Sequence, residues 1–419
     1  MSLQYNSKDL QILQKIDFSN QPIVSDFNLF VEYVINNKLL LTANDVISHL
    51  HFREINELLS TRIVCNKEKL SNKSFPNITA LFLILRLSGL SDIETIKSKK
   101  YLIIRKDIYE NWKKLNSTEQ YFELLFPFIF RFSLEPINES ASGYIFNAFS
   151  KNVIEKKDIE NIPNYFKFFE YKIYTYIFSF FGFINIKARL ELNGEWAITD
   201  FTTTEFGKTI LKIILENHLV LYEDDNFLFN ILNTDNGEIE DNEEEDVNED
   251  FEIKKTFIEL LKENVKDFNN RLELQQTIQQ ISEFIFEVKL LKTKLVISLS
   301  SYEELDILCQ FILESVNFDY DHLYNVELKD NFGRKISFNG CPDPSMAEYP
   351  STNDVKIGEL PLKSGSDLKF TYDFGDWWEF EIKLLEIREL KNKKQKPKLI
   401  SIKGEIPEQY SFFDDDSDE

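Results

Sequence analysis

Five residues in the C-terminal third have the types that acid–base or metal chemistry uses. His322 follows Asp321 directly in Asn317–Leu328 (NFDYDHLYNVEL), and Asp373, Asp376 and Glu379 lie together in Leu368–Ile387 (LKFTYDFGDWWEFEIKLLEI). An imidazole beside carboxylates can relay a proton or bind a divalent ion. These five are therefore the candidate catalytic residues, and His322, Asp373 and Asp376 the candidate metal ligands. The plainer reading is that Asp321 and His322 cap a helix-to-strand corner while the aspartates shape a turn. On that reading no bound metal and no organic cofactor is expected.

Asp373-Phe374-Gly375 matches one piece of the protein-kinase signature, in which the aspartate holds magnesium. The glycine-rich phosphate loop, the Val-Ala-Ile-Lys strand and the His-Arg-Asp loop are all missing from the sequence, which excludes a kinase. No Walker loop, dinucleotide fingerprint, Gly-x-Ser-x-Gly or His-Glu-x-x-His is present either. Of the other histidines, His49 and His51 are two apart and would diverge on a helix, and His218 ends a helical stretch, where a cation meets the dipole favourably. Cys65, Cys309 and Cys341 form no CxxC pair and are too few for a disulfide scaffold, which suits a reducing cytoplasm.

The elements that must position the candidates follow from periodicity. Leu368, Phe370 and Tyr372 alternate with Lys369, Thr371 and Asp373, and Trp378, Phe380, Ile382 and Leu384 alternate with Glu379, Glu381 and Lys383. A period of two predicts two strands with one buried face, joined by a turn in which Gly375 supplies backbone freedom. Tyr302–Val316 predicts an amphipathic helix leading to His322 and a further strand. Earlier in the chain, apolar residues at helical spacing run through Phe27–Ile35, Ile55–Leu59, Ile78–Leu87, Tyr121–Phe132 and Phe166–Phe181. Two stretches echo each other there. Ile78–Leu87 leads through KKYLIIRKD into a helix near Tyr109–Leu115. Tyr174–Phe181 leads through a hairpin turning at Asn193-Gly194 into a helix capped by Thr204 and running to Leu215. Helix, two-stranded wing and helix outline a winged-helix-like unit, present twice.

The net charge of −23 is concentrated. Asp235–Glu252 carries eleven acidic residues and no basic ones, and Asp414–Glu419 carries five more; without these sixteen the chain carries −7. Such runs read as solvated linker and tail. The acidic remainder disfavours broad binding to nucleic-acid phosphates, and the helices available for groove reading are poor in Lys, Arg, Asn and Gln. Lys391–Lys398 (KNKKQKPK) is the best candidate for a local basic patch, and its plainer reading is a solvated loop between two strands. The longest apolar runs fall short of the ~20 residues that span a bilayer, so no membrane partner is expected.

Three segments together, FDYDHLYNVEL, FTYDFGDWWEFEI and Pro397–Tyr410 (PKLISIKGEIPEQY), make Phe286–Tyr410 resemble the plasmid pRiA4b ORF-3-like family, an uncharacterised group found on plasmids and near mobile elements. The resemblance implies a compact α+β domain with a curved antiparallel sheet packed on helices. The helical first half, with FVEYVINNKLLLTANDV, FREINELLS and LNSTEQYFELL, is similar to the N-terminal extension of longer members. The family pattern runs Trp-Glu-His where this chain has Trp378-Glu379-Phe380, so a family site relying on that histidine would lack it here.

The sequence thus predicts a multidomain α and α+β protein: a helical, winged-helix-like region over 1–232, an acidic linker and connecting helix over 233–282, an α+β domain with a mainly antiparallel sheet over 283–411, and an acidic tail over 412–419. The leading function is a cytoplasmic binding or interaction protein with a protein partner, linked to plasmid or mobile-element biology, rather than an enzyme. The exposed hairpin face and the Asp343–Asp354 loop would meet that partner. The alternatives are a metal-dependent hydrolase or nuclease acting through His322 and the hairpin carboxylates, and a DNA-binding regulator using the winged-helix units.

Overall fold

The computed structural model describes residues 5–66, 70, 72–130, 149–151, 153–154, 169–191, 194, 196–217, 219, 245–272, 282–330, 333, 335–343, 346, 350–390 and 396–410. His218, Asn193, Lys391–Gln395 and the tail from 411 lie outside them, as does the acidic run up to residue 244. The chain divides into two compact units, one built from the described residues up to 219 together with 245–272, the other from those beyond 282. The protein is mixed α and β, with antiparallel sheets.

In the first unit, helices α1 (Ser7–Leu13), α2 (Pro22–Asn37), α3 (Phe52–Leu58) and α4 (Pro76–Leu87) precede a hairpin of β1 (Ser91–Ile96) and β2 (Lys99–Ile104). Then come α5 (Lys106–Trp112), α6 (Ser117–Phe130) and α7 (Phe169–Phe180). A second hairpin, β3 (Ile184–Leu190) with β4 (Trp196–Thr203), leads to α8 (Glu205–Glu216), and α9 (Glu245–Asn264) follows. The sequence read one strand after α4; Ser91–Ile96 supplies its antiparallel mate. Every residue of α4 is buried, as expected of a helix that is apolar all round. Thr204 caps α8, its hydroxyl accepting the Gly207 N–H at 2.8 Å. A side chain at Gly207 would come 2.1 Å from the Phe183 carbonyl, so only glycine permits this close approach of helix to hairpin.

Of the linker and connecting helix expected over 233–282, the described residues 245–272 belong to this unit and contribute to its core. Phe257 and Leu261 of α9 and Phe268 beyond it are buried in the first unit's core, and the Phe268 ring lies 4.6 Å from that of Phe122. Glu119 accepts the backbone N–H groups of Asn116, Asn269 and Asn270 and the Asn270 amide, and Glu123 pairs with Arg271. Where the sequence reads a charged connecting helix, Phe257, Leu260 and Leu261 of α9, spaced for one face, are buried.

The second unit is a seven-stranded antiparallel sheet of order β11-β6-β5-β10-β9-β7-β8. Its strands are β5 (Ser282–Leu290), β6 (Thr293–Ser300), β7 (Tyr324–Lys329), β8 (Lys335–Gly340), β9 (Asp367–Tyr372), β10 (Trp378–Glu389) and β11 (Lys398–Lys403). Helix α10 (Leu305–Ser315) buries Leu305, Leu308, Cys309, Ile312 and Leu313 in the same core as Phe286, Ile297, Val326, Phe370 and Ile382. The period-two reading of β9 and β10 holds: Leu368, Phe370, Tyr372, Phe380, Ile382 and Leu384 are buried, with Trp378↔Tyr372 and Phe380↔Phe370 in register. The turn differs in one respect. Asp373 (φ 54°) and Trp377 (φ 57°) occupy the left-handed positions, not Gly375. The Trp377 N–H donating to the Asp373 carbonyl at 2.6 Å closes the five-residue connection between the strands.

Candidate functional site

The β7–β9 register creates the site. Tyr324 pairs with Tyr372 across antiparallel strands, so residues just before Tyr324 face residues just after Tyr372. The Asp373 N–H continues this ladder onto the Leu323 carbonyl at 3.0 Å. His322 is thereby set beside Asp373: its Nε2 lies 3.6 Å from Asp373 Oδ2 and 3.6 Å from Asp321 Oδ1. A residue from the chain end completes the corner, the Tyr410 hydroxyl at 3.2 Å from the same nitrogen.

The backbone beneath is held by Tyr372. Its hydroxyl donates to the Asp319 carbonyl at 2.6 Å and accepts the N–H groups of Asp321 (3.1 Å) and His322 (3.3 Å). Burial first, then the Asp321 carboxylate, push this phenol up to about 12, so it stays protonated and keeps donating. Gln409 fastens the end segment, accepting the Asp319 N–H at 2.6 Å and donating to the Tyr410 hydroxyl at 3.0 Å. The Tyr410 phenol is raised by desolvation and then by the charges of Asp321, Asp319, Asp373 and Asp376. Four carboxylates therefore bear on one solvent-facing spot.

The sequence candidates separate. His322, Asp321 and Asp373 come together. Asp373 is 8 % exposed, and its Oδ1 accepts the Gly375 N–H at 2.8 Å, the turn role expected for it, leaving Oδ2 towards the imidazole. Asp376 is exposed at the turn and reaches the site only as a charge acting on Tyr410. Glu379 is engaged elsewhere, paired with Lys369 and accepting the Trp377 Nε1–H at 3.0 Å; these two bonds hold its carboxyl below the usual range. Among the described residues no group of three His, Cys, Asp or Glu side chains is placed to hold a metal ion. Phe380, where the resemblance implies a histidine, is fully buried and stacks on Phe370 at 5.1 Å. An aromatic ring there packs without a polar partner.

Two groups escaped the sequence reading. One is the support just described, Tyr372, Gln409 and Tyr410. All three lie in the segments that carry the family resemblance, and nothing marks their side chains as partners of a residue far away in sequence. The other is a buried network under β7. Asp306, 3 % exposed, accepts the Tyr320 hydroxyl at 2.8 Å, the Tyr324 hydroxyl, and the Gln310 amide at 2.7 Å. Burial and this carboxylate push the Tyr324 and Tyr320 phenols and the Cys309 thiol up. A reactive thiolate is thus excluded at Cys309. Part of the Asp343–Asp354 loop serves this network: Thr352 is buried, its carbonyl accepting the Asp306 N–H at 3.1 Å.

The geometry can be set beside known proteins. The C-terminal region matches the plasmid pRiA4b ORF-3-like protein family. The match covers residues 284–410, so it includes both His322 and Tyr410. Among solved structures, a protein of unknown function from Methanosarcina mazei Go1 is similar at 14% identity, over 29% of this chain and 71% of that one, with a TM-score of 0.25. No curated protein matches the chain. Among the described residues no helix is long and apolar enough to cross a membrane.

Proposed function

We propose that the plasmid ORF-3-like unit is a protein-interaction module whose contact surface is the β9–β10 turn and the His322 corner beside it. The observation that carries this is the exposure of two aromatic rings at the turn. Phe374 is 45% and Trp377 57% exposed, and their centroids lie 5.9 Å apart. Large exposed aromatics are the residue type that anchors interfaces. Around them Asp321, Asp373 and Asp376 outnumber the single imidazole. The partner that fits is a basic segment, with ammonium or guanidinium groups against the carboxylates and over the Trp377 ring.

The test is calorimetric titration of the full chain with a lysine- and arginine-rich peptide and with a glutamate-rich one. Binding of the basic peptide alone, weakened tenfold or more by Trp377→Ala or Asp373→Asn, supports the reading. Equal binding by the variants ends it.

A second reading, a metal-dependent hydrolase or nuclease, draws on the 3.6 Å approach of His322 to Asp373. It requires hydrolysis of a phosphodiester or ester that depends on added divalent metal and is lost in His322→Ala. A DNA-binding regulator draws on the two helix–hairpin–helix stretches of the first unit, read as winged-helix-like, and requires salt-dependent DNA binding. In our reading the protein works in a reducing cytoplasm, in mobile-element biology, as two folded parts joined by an acidic segment.

A further inference from the structure

The two edges of the seven-stranded sheet are finished differently. Edge strands expose unpaired N–H and C=O groups and are normally blunted. At β8 the chain itself does this: the Asn339 N–H donates to the Pro350 carbonyl at 2.7 Å, and the Thr352 N–H donates to the Asn339 carbonyl at 2.9 Å. The apolar residues of β8, Ile336 and Phe338, are buried. At the other edge, β11 pairs with β6 alone among the described residues. Three aliphatic side chains of β11 stand in solvent: Leu399 is 43%, Ile400 54% and Ile402 37% exposed.

This strand is firmly placed. After β11, Gly404 (φ 94°) passes so close to β6 that a side chain there would meet the Lys292 carbonyl at 2.3 Å, and the Thr293 hydroxyl donates to the Glu405 carbonyl. Leu399 and Ile402 pair with Ile297 and Leu295, which face the core, so they extend the apolar face outwards to the edge.

Charge distinguishes the same edge. Lys289, Lys294, Lys369 and Lys383 on the inner strands, and Lys335 on the covered edge strand β8, each have a carboxylate within salt-bridge reach. Lys398 and Lys403, at the two ends of β11, and Lys396 just before it are exposed and make no salt bridge among the described residues. The basic run that the sequence singled out leads directly into this strand.

We propose that the free edge of β11 takes up an extended segment of a partner protein as an added strand, with aliphatic residues at alternate positions and aspartate or glutamate at its flanks. Main-chain hydrogen bonds to the open edge supply affinity, the aliphatics continue the row of Leu399 and Ile402, and the carboxylates meet Lys396, Lys398 and Lys403. A second copy of this chain fits worse. In a symmetric antiparallel pair of β11 strands Lys398 would stand opposite Lys403 of the other copy, and like charges directly opposed destabilise a ladder.

The test uses the full chain and two labelled peptides of about eight residues, one alternating valine with glutamate and one valine with serine, followed by fluorescence anisotropy. The valine–glutamate peptide is expected to bind at least tenfold more tightly than the valine–serine peptide. The surface double variant Lys398→Glu/Lys403→Glu loses that preference while keeping the parent's melting temperature. Trp377→Ala leaves both affinities unchanged, which separates this edge from the hairpin-tip surface above. No binding of the valine–glutamate peptide, equal binding by the double variant, or loss of binding in Trp377→Ala would each overturn the proposal. So would a concentration-dependent dimer of the parent, seen by sedimentation and abolished by the double variant, because a second copy would then be the occupant.

Discussion

His51 and His322 show two uses of one side chain. In the first unit, the His51 ring lies 3.0 Å through Nδ1 from the Tyr33 hydroxyl, which itself donates to Glu54 at 2.6 Å, and Nε2 accepts the Leu40 N–H at 3.1 Å. Both nitrogens are thus used with the ring neutral, one donating and one accepting. Burial accordingly lowers the His51 pKa, against the pull of Glu54. In the second unit, His322 is half-exposed, and one nitrogen faces two carboxylates and a phenol at 3.2–3.6 Å. The first arrangement is saturated and fixes a corner. The second leaves polar capacity towards solvent, which is what a ligand needs.

Predictions that break or sharpen this contrast can be ranked. The largest effect belongs to the most saturated group. Glu119, 1 % exposed, is driven up by desolvation, yet the N–H donors of Asn116, Asn269 and Asn270 together hold its carboxyl below the usual range. Glu119→Ala strands those donors and should cost about 3 kcal/mol in urea unfolding. A loss below about 1 kcal/mol would remove the link between saturation and stability.

Asp306→Asn keeps the shape but replaces an acceptor with a donor facing the Tyr320 and Tyr324 hydroxyls. About 2 kcal/mol of destabilisation is expected, read from the same unfolding curves. His51→Ala should cost about 1.5 kcal/mol, since it leaves the Leu40 N–H and the Tyr33 hydroxyl without their ring partner.

The pH dependence of His51 has a definite sign. Its folded pKa lies below the unfolded value of about 6.5, so below that pH the unfolded chain binds the proton more readily. The first unit should therefore lose stability as pH falls from 7 through 6 towards the lowered folded pKa, and His51→Ala should flatten that slope. An unchanged slope would mean that another group carries it. The smallest effect is expected at the second histidine: His322→Ala should change stability by less than about 0.5 kcal/mol, as at other exposed positions. A larger loss would make the His322 corner structural, like that of His51.

How much of this was legible follows from range. The buried faces of β9 and β10, the Asx turn at Asp373 and the Thr204 cap depend on neighbours within a few residues, and period and residue type display them. The fate of Glu245–Leu272 was misjudged because its acidic and basic residues outnumber the few apolar ones that reach the core. The left-handed Asp373 and Trp377 were hidden behind the glycine between them, the residue usually assigned that conformation.

By itself, the sequence determined which faces of the strands are apolar, where the charge is concentrated, which catalytic signatures are absent, and the family of the C-terminal region. All of these are local or compositional. Tertiary structure alone decided that Tyr324 pairs with Tyr372, which brings His322 to Asp373, and that residues 404–410 return to place Tyr410 at the same spot. It also decided that β8 is covered while β11, among the described residues, pairs with β6 alone. Strand order and register come from how whole faces fit around α10 and the shared core, a sum over distant contacts that no stretch of the chain displays on its own.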